Sequence, residues 1–267
     1  MAFAGNSLLA RTALGQGLID PGTFTILRLA SGALALLPLS RLFGKAETSR
    51  LAGSSWGSGF TLFVYAFAFS LAYVSVSAGT GALLLFGSVQ VTMIGAARRS
   101  GERLTGRQWI GLATAVIGLV CLMLPGVTAP ALTGAIQMCV AGVAWGLYSL
   151  RGKGALSPAH MTAGNFLRSL PFLAIVILLP LSGSYLEPMG ALLATVSGVV
   201  TSGLGYILWY QVLRYLSTTQ ASVVQLLVPA LAAFGGVIFL SESVSARLIA
   251  ASALILGGVA ATVFSKR

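Results

Sequence analysis

The sequence predicts an all-α integral membrane protein, with ten transmembrane helices arranged as two inverted five-helix repeats. Three observations carry that prediction. Of 267 residues, 57% are hydrophobic and 8% are charged, whereas an ordinary soluble domain carries about 25% charged residues. The apolar runs are long enough for membrane spans, since a helix crosses the ~30 Å hydrocarbon core in about 20 residues. Sliding the chain against itself by 140 residues superposes polar residues at corresponding places in the two halves.

The apolar runs, separated by Gly, Pro, Ser and charge clusters, place spans near 2–17, 21–41, 56–75, 78–98, 105–124, 132–151, 159–181, 187–213, 218–240 and 244–264. Span one is short and marked by Asn6, Ser7 and Arg11, so the native chain is expected to begin a few residues earlier. It enters its apolar segment at Ala2 without a basic leader region, so no cleavable signal pattern is present. Span two is "TFTILRLASGALALLPL", with Arg28 inside the apolar run. Glycines in "WGSGF" open span three, and those in "SGVVTSGLGY" lie in span eight; both stretches allow close helix packing or a pore wall. Gln90 lies about midway through span four and Gln225 through span nine. The short connections leave no room for a soluble domain, so any function belongs to the helices and their loops.

Loop charge sets the orientation. Arg41, Lys45 and Arg50 follow span two, and Arg98, Arg99, Arg103 and Arg107 follow span four. Arg151 and Lys153 follow span six, Arg214 follows span eight, and Lys266 and Arg267 end the chain, placing twelve of sixteen basic residues on one side. The opposite loops "VSVSAGT", "PGVTAPA" and "LSGSYLEP" carry none, while Arg247 follows span nine. The positive-inside rule makes the basic side cytoplasmic, which puts both termini in the cytoplasm of an inner-membrane protein and requires an even number of spans. The net charge of +11 is thereby accounted for by topology, and no nucleic-acid partner is expected. Cys121 and Cys139 lie in apolar segments without metal-ligand or redox spacing and are expected as buried, reduced thiols.

The shift of 140 aligns Arg28 with Arg168, Thr61 with Thr201, Ser77 with Ser217, Gly95 with Gly235, Glu102 with Glu242, Arg107 with Arg247 and Gly118 with Gly258. "ERLTGRQWIGLATAVIGL" and "ESVSARLIAASALILGGV" share a Glu-x-x-x-x-Arg turn followed by a Gly-containing span. Five spans per half is an odd number, so the second half (131–267) is inverted relative to the first (1–125). In transporters built this way the solute site lies near the midplane, between the halves.

The double five-helix repeat, the arginine in the second helix of each half, the two Glu-x-x-x-x-Arg turns and "QLLVPALAAFGGVIFLSE" resemble the EamA branch of the drug/metabolite transporter superfamily. The resemblance covers nearly the whole chain. It implies a secondary transporter, since members export amino acids and varied metabolites. The family usually has a proline in the fourth helix of each half; here Pro229 is present as a candidate hinge in span nine, while Val89 stands at the aligned position of span four.

Ionisable residues inside a span cost at least ~2.5–3.5 kcal/mol on insertion scales and usually face a bundle interior or an aqueous cavity. Arg28 and Arg168 are therefore candidates for a positive solute path, the alternative being that each snorkels or ties carbonyls of a neighbouring helix. Asp20, Glu47, Glu102, Glu187 and Glu242 all fall in loops or at helix ends, so no midplane carboxylate stands ready to carry a proton or bind a cationic solute. Glu102 and Glu242 read as groups that fix helix ends. Small zwitterionic or anionic solutes are favoured, with a lipid or lipid-linked flippase as the alternative. Gln90, Gln225, Tyr65, Trp145, Tyr148, Tyr206 and Trp209 complete the candidate path, against the competing reading of packing, interfacial aromatics and interhelical hydrogen bonds. The only histidine, His160, sits at a helix start with no metalloprotease spacing, so neither catalysis, nor a metal, nor a cofactor is expected. The partners expected are a small solute and the bilayer, with the chain a monomer or a homodimer.

Overall fold

The structure, a computed structural model, describes residues 1–43, 53–99, 105–124, 130–179, 185–215 and 218–264. Within these, the helices are α1 (Ala2–Gly15), α2 (Pro21–Phe43), α3 (Trp56–Tyr73), α4 (Ala78–Arg99), α5 (Gly106–Met123) and α6 (Leu132–Gly152). They continue as α7 (Pro158–Ser169), α8 (Leu173–Leu178), α9 (Pro188–Val196), α10 (Gly205–Leu213), α11 (Thr218–Leu240) and α12 (Ala246–Phe264). A 3₁₀ turn at Leu170–Phe172 joins α7 to α8, and a π-helical stretch, Ser197–Leu204, joins α9 to α10. The described residues thus form ten rods. Six of them are long and apolar enough to cross a membrane; α5 and the apolar parts of α11 and α12 are shorter.

Each boundary has a local cause. Ser55 caps α3, its Oγ accepting the N–H of Ser58 at 3.1 Å. Thr105 and Gln108 close a capping box at the start of α5, satisfying two end donors reciprocally. Pro171 lacks an N–H and breaks the rod expected over 159–181 into α7, the 3₁₀ turn and α8. Span eight was expected over 187–213, its glycines open to close packing or a pore wall. It is widened into a π turn, where Gly198 and Gly203 lower the cost of leaving α geometry. By contrast α11 runs through Pro229 over its whole range. At 14 residues, α1 is about 21 Å long, shorter than the hydrocarbon core.

Burial follows membrane logic. Leu34, Ile110, Leu178, Phe234 and Phe239 are exposed on the rim, while Arg28, Gln90, Ser70 and Gln225 are buried inside. Glycine and alanine let the rods approach, as is usual where lipid removes the hydrophobic drive between helices. A methyl added at Gly118 would lie 2.8 Å from Ile255 Cγ1, and one at Gly258 would lie 2.7 Å from the backbone nitrogen of Ala115. A methyl at Gly59 would lie 2.7 Å from Arg168 Cβ, and one at Gly198 would collide with the carbonyl oxygen of Arg28.

The ends of the bundle differ. Arg41, Arg98, Arg99, Arg151 and Lys153 gather at the end where α2, α4 and α6 finish, and Arg151 Nη1 donates to Thr61 Oγ1 of α3 at 3.3 Å. At the opposite end Asp20 N donates to the Tyr185 carbonyl at 3.1 Å, and Glu187 N to that of Leu18 at 2.8 Å. These bonds pin the α1–α2 turn to the start of α9. Lys45, Glu47, Arg50, Glu102, Arg103, Ser217, Lys266 and Arg267 lie outside the described residues. Cys121 and Cys139 are free but only half-buried, not fully buried as expected: each sits on a helix flank that keeps part of its surface toward the rim.

Candidate functional site

The site is built from Arg28 outward. It is the eighth residue of α2, its side chain is 1% exposed, and it sits where α2 meets α3, the π stretch and α10. Nε donates to Ser202 Oγ at 3.0 Å, and Nη2 donates to the hydroxyls of Tyr206 at 3.0 Å and Tyr65 at 3.2 Å. The guanidinium carbon lies 4.8 Å from the ring centre of Phe69 and 5.1 Å from that of Tyr65, a cation–π arrangement strengthened by the dry surroundings. A guanidinium has five N–H donors. Nη1, which holds two of them, is buried without a partner.

Asn6 of α1 extends the network. Its Nδ2 donates to Tyr65 at 3.3 Å, and its Oδ1 accepts from Ser197 Oγ at 2.7 Å and Thr201 Oγ1 at 3.0 Å. The π stretch thus faces α1 and α2 with Ser197, Thr201 and Ser202 together. In a regular helix Ser197 and Thr201 share a face, whereas Ser202 is turned about 100° from Thr201; the wider turn brings all three hydroxyls to one interface. Such π insertions recur at functional sites.

An aromatic shell closes around these groups. Phe3 is its hub, with ring centres 5.4 Å from Trp145, 5.6 Å from Trp209, 6.1 Å from Tyr206 and 6.2 Å from Phe86. Trp145 lies 4.7 Å from Tyr206, 5.1 Å from Tyr65 and 5.6 Å from Tyr148. The indole Nε1 atoms of Trp145 and Trp209 are buried without partners. The space left among Phe3, Ser7, Tyr65, Phe86 and Trp145 is about 10 Å³, no more than one water needs. The aromatic shell is closed around that space.

Six of the residues singled out in the sequence therefore come together: Arg28, Tyr65, Trp145, Tyr148, Tyr206 and Trp209. Arg168 does not join them. It lies half-buried near the end of α7, donates to Ser54 Oγ, and places its guanidinium 6.0 Å from the ring centre of Trp56. Its long stem reaches past the α3 terminus toward the basic end, whereas the Arg28 side chain is held inward by two tyrosines and a serine. Gln90 and Gln225 are buried on α4 and α11, two helices packed against each other, apart from the set that bonds Arg28. Pro229 lies in α11, also outside that set.

The sequence did not point to Phe3, Asn6, Phe69, Ser197, Thr201 or Ser202 as site residues. A signal existed for some of them: Asn6 and Ser7 are polar in an apolar helix, and Ser197 and Thr201 stand four apart. Glu242 fixes a helix end as expected, but not that of its own helix, since its carboxylate accepts the N–H of Ala78 at the start of α4. Gly236 makes room for it, because a methyl there would lie 2.6 Å from Oε2. His160 is engaged at the start of α7, its Nδ1 sharing a hydrogen bond with Ser157 at 2.8 Å.

Known proteins place this geometry in context. A solved crystal structure superposes with a TM-score of 0.69 at 20% identity, covering 98% of this chain and 94% of its own, which shows a shared fold. An uncharacterized protein of Pseudomonas aeruginosa is 48% identical over 260 residues, 97% of this chain and 90% of its own. A probable terminal-alkyne amino-acid exporter of Streptantibioticus cattleyicolor is 29% identical over 70% of this chain and 64% of its own. A probable amino-acid metabolite efflux pump of Salmonella typhimurium is 25% identical over 76% of this chain and 73% of its own. Residues 132–264 match the model of the EamA-like transporter family. With its all-helical membrane fold and these relatives, the chain is a multi-pass membrane transporter and belongs to the EamA-like transporter family.

Proposed function

We propose that the protein is a secondary transporter of the inner membrane that exports small anionic or zwitterionic metabolites, amino acids among them, by alternating access between residues 1–125 and 131–267, with both termini cytoplasmic. The observation that carries this reading is Arg28: a guanidinium 1% exposed, held by hydroxyls of both halves, with one nitrogen unpartnered and, among the described residues, no acidic residue inside a helix. An uncompensated buried charge costs several kcal/mol. Such a residue is useful where an anionic group arrives to meet it, since a positive charge in a low-dielectric cleft concentrates anions.

Two reciprocal contacts support the inverted repeat. Exchanging each residue with its partner 140 positions away converts the approach of Gly118 to Ile255 into that of Gly258 to Ala115. The same exchange carries the seating of Gly59 on Arg168 to within one residue of the seating of Gly198 on Arg28. A two-fold relation between halves makes inward- and outward-open states alternative packings of similar surfaces. The exporter names of the relatives from Streptantibioticus and Salmonella support the amino-acid class and the direction.

The test is solute counterflow. Purified protein in liposomes preloaded with individual amino acids and small organic acids is expected to accelerate uptake of the matching labelled solute. Counterflow confined to cationic solutes, or to lipids, would overturn the reading.

A further inference from the structure

Three N–H donor groups in one aromatic cluster are buried without partners: Arg28 Nη1, Trp145 Nε1 and Trp209 Nε1. Their residues are 1%, 1% and 7% exposed, so bulk water does not reach them. Unsatisfied buried polar groups are uncommon and call for an explanation. Three in one cluster, all of them donors, are more specific than one.

Most of the hydrogen-bonding capacity around Arg28 is already engaged. Asn6 Oδ1 takes two hydroxyl protons, from Ser197 and Thr201. Tyr65 O takes N–H groups from Asn6 and Arg28, and Tyr206 O takes one from Arg28. Of the acidic residues described, Asp20 accepts the N–H groups of Thr23 and Tyr185, while Glu242 is bound to Arg11 and Ala78, both at the end of the bundle opposite the basic one. Glu187 precedes α9 at that same end. The cluster therefore has N–H groups to give and, among the described residues, no carboxylate to pair with an ammonium, which would find ring faces only.

We infer that the site selects an apolar-bodied carboxylate and does not require the α-ammonium of an amino acid. The carboxylate meets Arg28 Nη1, the indole N–H groups of Trp145 and Trp209 serve the carboxylate or a second acceptor such as an acyl or keto oxygen, and the apolar body packs on Phe3 and Tyr206. This rests on the proposed transport of anionic or zwitterionic solutes through the Arg28 site. It assigns Trp145 and Trp209 a specificity role beyond forming an apolar wall.

The test compares three solutes sharing one side chain: L-leucine, N-acetyl-L-leucine and leucinamide, which are zwitterion, anion and cation. Binding to the purified full chain is measured by calorimetry, and counterflow of each is measured in liposomes. N-acetyl-leucine is expected to bind at least as tightly as leucine, and leucinamide at least tenfold more weakly than either. Trp145→Phe and Trp209→Phe, which keep a ring and remove the N–H, are each expected to weaken N-acetyl-leucine about fivefold. Monodispersity and melting temperature show whether each variant is folded; if one is not, the other decides, and the three-solute comparison on the unaltered protein stands by itself.

Binding of leucine without N-acetyl-leucine overturns this inference and leaves the proposed amino-acid export intact. Equal binding of leucinamide overturns it as well, as do folded tryptophan variants with unchanged affinity. Absence of binding by all three also overturns it, and the wider counterflow panel then decides separately whether the transport reading survives.

Discussion

Arg11 Nε donates to Glu242 Oε1 at 3.0 Å, tying the C-terminal half of α1 to the connection between α11 and α12. Arg11 Nη1 also donates to the carbonyls of Tyr73 and Val74 at 3.0 and 3.1 Å, and Glu242 Oε2 accepts the N–H of Ala78 at 2.8 Å. One partly buried ion pair thus gathers α1, the α3–α4 turn and the α11 end. Fully exposed pairs contribute about 0–1 kcal/mol. Here Glu242→Gln, which keeps the Ala78 bond, is expected to cost about 1 kcal/mol. Arg11→Met strands a carboxylate and two carbonyls and is expected to cost about 2–3 kcal/mol. Denaturant unfolding in detergent measures both. If the halves part at this end during transport, a short bis-maleimide bridge between Arg11→Cys and Glu242→Cys, with Cys121 and Cys139 replaced by serine, stops counterflow. Undiminished counterflow in the cross-linked protein would show that this end does not open.

Arg28→Lys keeps a charge but loses the planar fork that serves Ser202, Tyr65 and Tyr206 together. Partial transport is expected to remain, reduced about tenfold by the loss of one or two charge-assisted bonds. Arg28→Leu is expected to lose most transport, along with any preference for carboxylate-bearing solutes. Initial counterflow rates per folded molecule decide this, and unchanged rates with unchanged solute preference would leave Arg28 a structural residue.

Gly198→Ala puts a methyl against both the Arg28 carbonyl oxygen and Ser31 Oγ, where backbone has to move. A loss of about 2–3 kcal/mol is expected, the cost of overpacking a tight core. Gly59→Ala on the backbone of Arg168 is expected to behave alike. Gly95→Ala, where nothing lies within 4 Å, is expected to be neutral or to stabilise α4 by up to about 1 kcal/mol. Melting temperatures of the three variants provide the comparison, and equal effects would show that the glycine contacts do not control packing.

Orientation is tested by cysteine labelling in intact cells, on a background lacking the native thiols. Glu187→Cys precedes α9 and is expected to react with an impermeant maleimide added outside; Lys153→Cys, at the basic end, is expected to react only after permeabilisation. Both positions are exposed, so a failure to react reports sidedness. The loop positions Val127 and Ser184, expected outside, and Lys45, expected inside, lie outside the described residues. The reverse pattern would invert the topology.

Much of the fold was legible because a membrane helix is a local object. Its backbone bonds close within the segment, and lipid demands an unbroken apolar stretch. The expected limits of spans one to six differ from the observed helices by at most two residues at either end. Span seven lost its regularity to Pro171, a local cause that the apolar pattern did not register. The π turn in span eight was not legible, since "SGVVTSGLGY" fits an ordinary small-residue helix, and only the groups facing it distinguish the two.

The two arginines mark the boundary between what the sequence determined and what the tertiary structure decided. By itself the sequence determined a many-helix membrane protein, the charge asymmetry of its ends, an arginine in each second helix, and the placement of all five acids in loops or at helix ends. It could not separate Arg28 from Arg168, which align under one shift and sit in similar apolar surroundings. The fold separated them. Arg28 meets Ser202 and Tyr206 across more than 170 residues of chain, whereas Arg168 turns to Ser54 and Trp56 at a helix end. A buried guanidinium takes its role from the lone pairs and ring faces that reach it through space, and those are supplied by residues whose distance along the chain says nothing of their distance in the bundle.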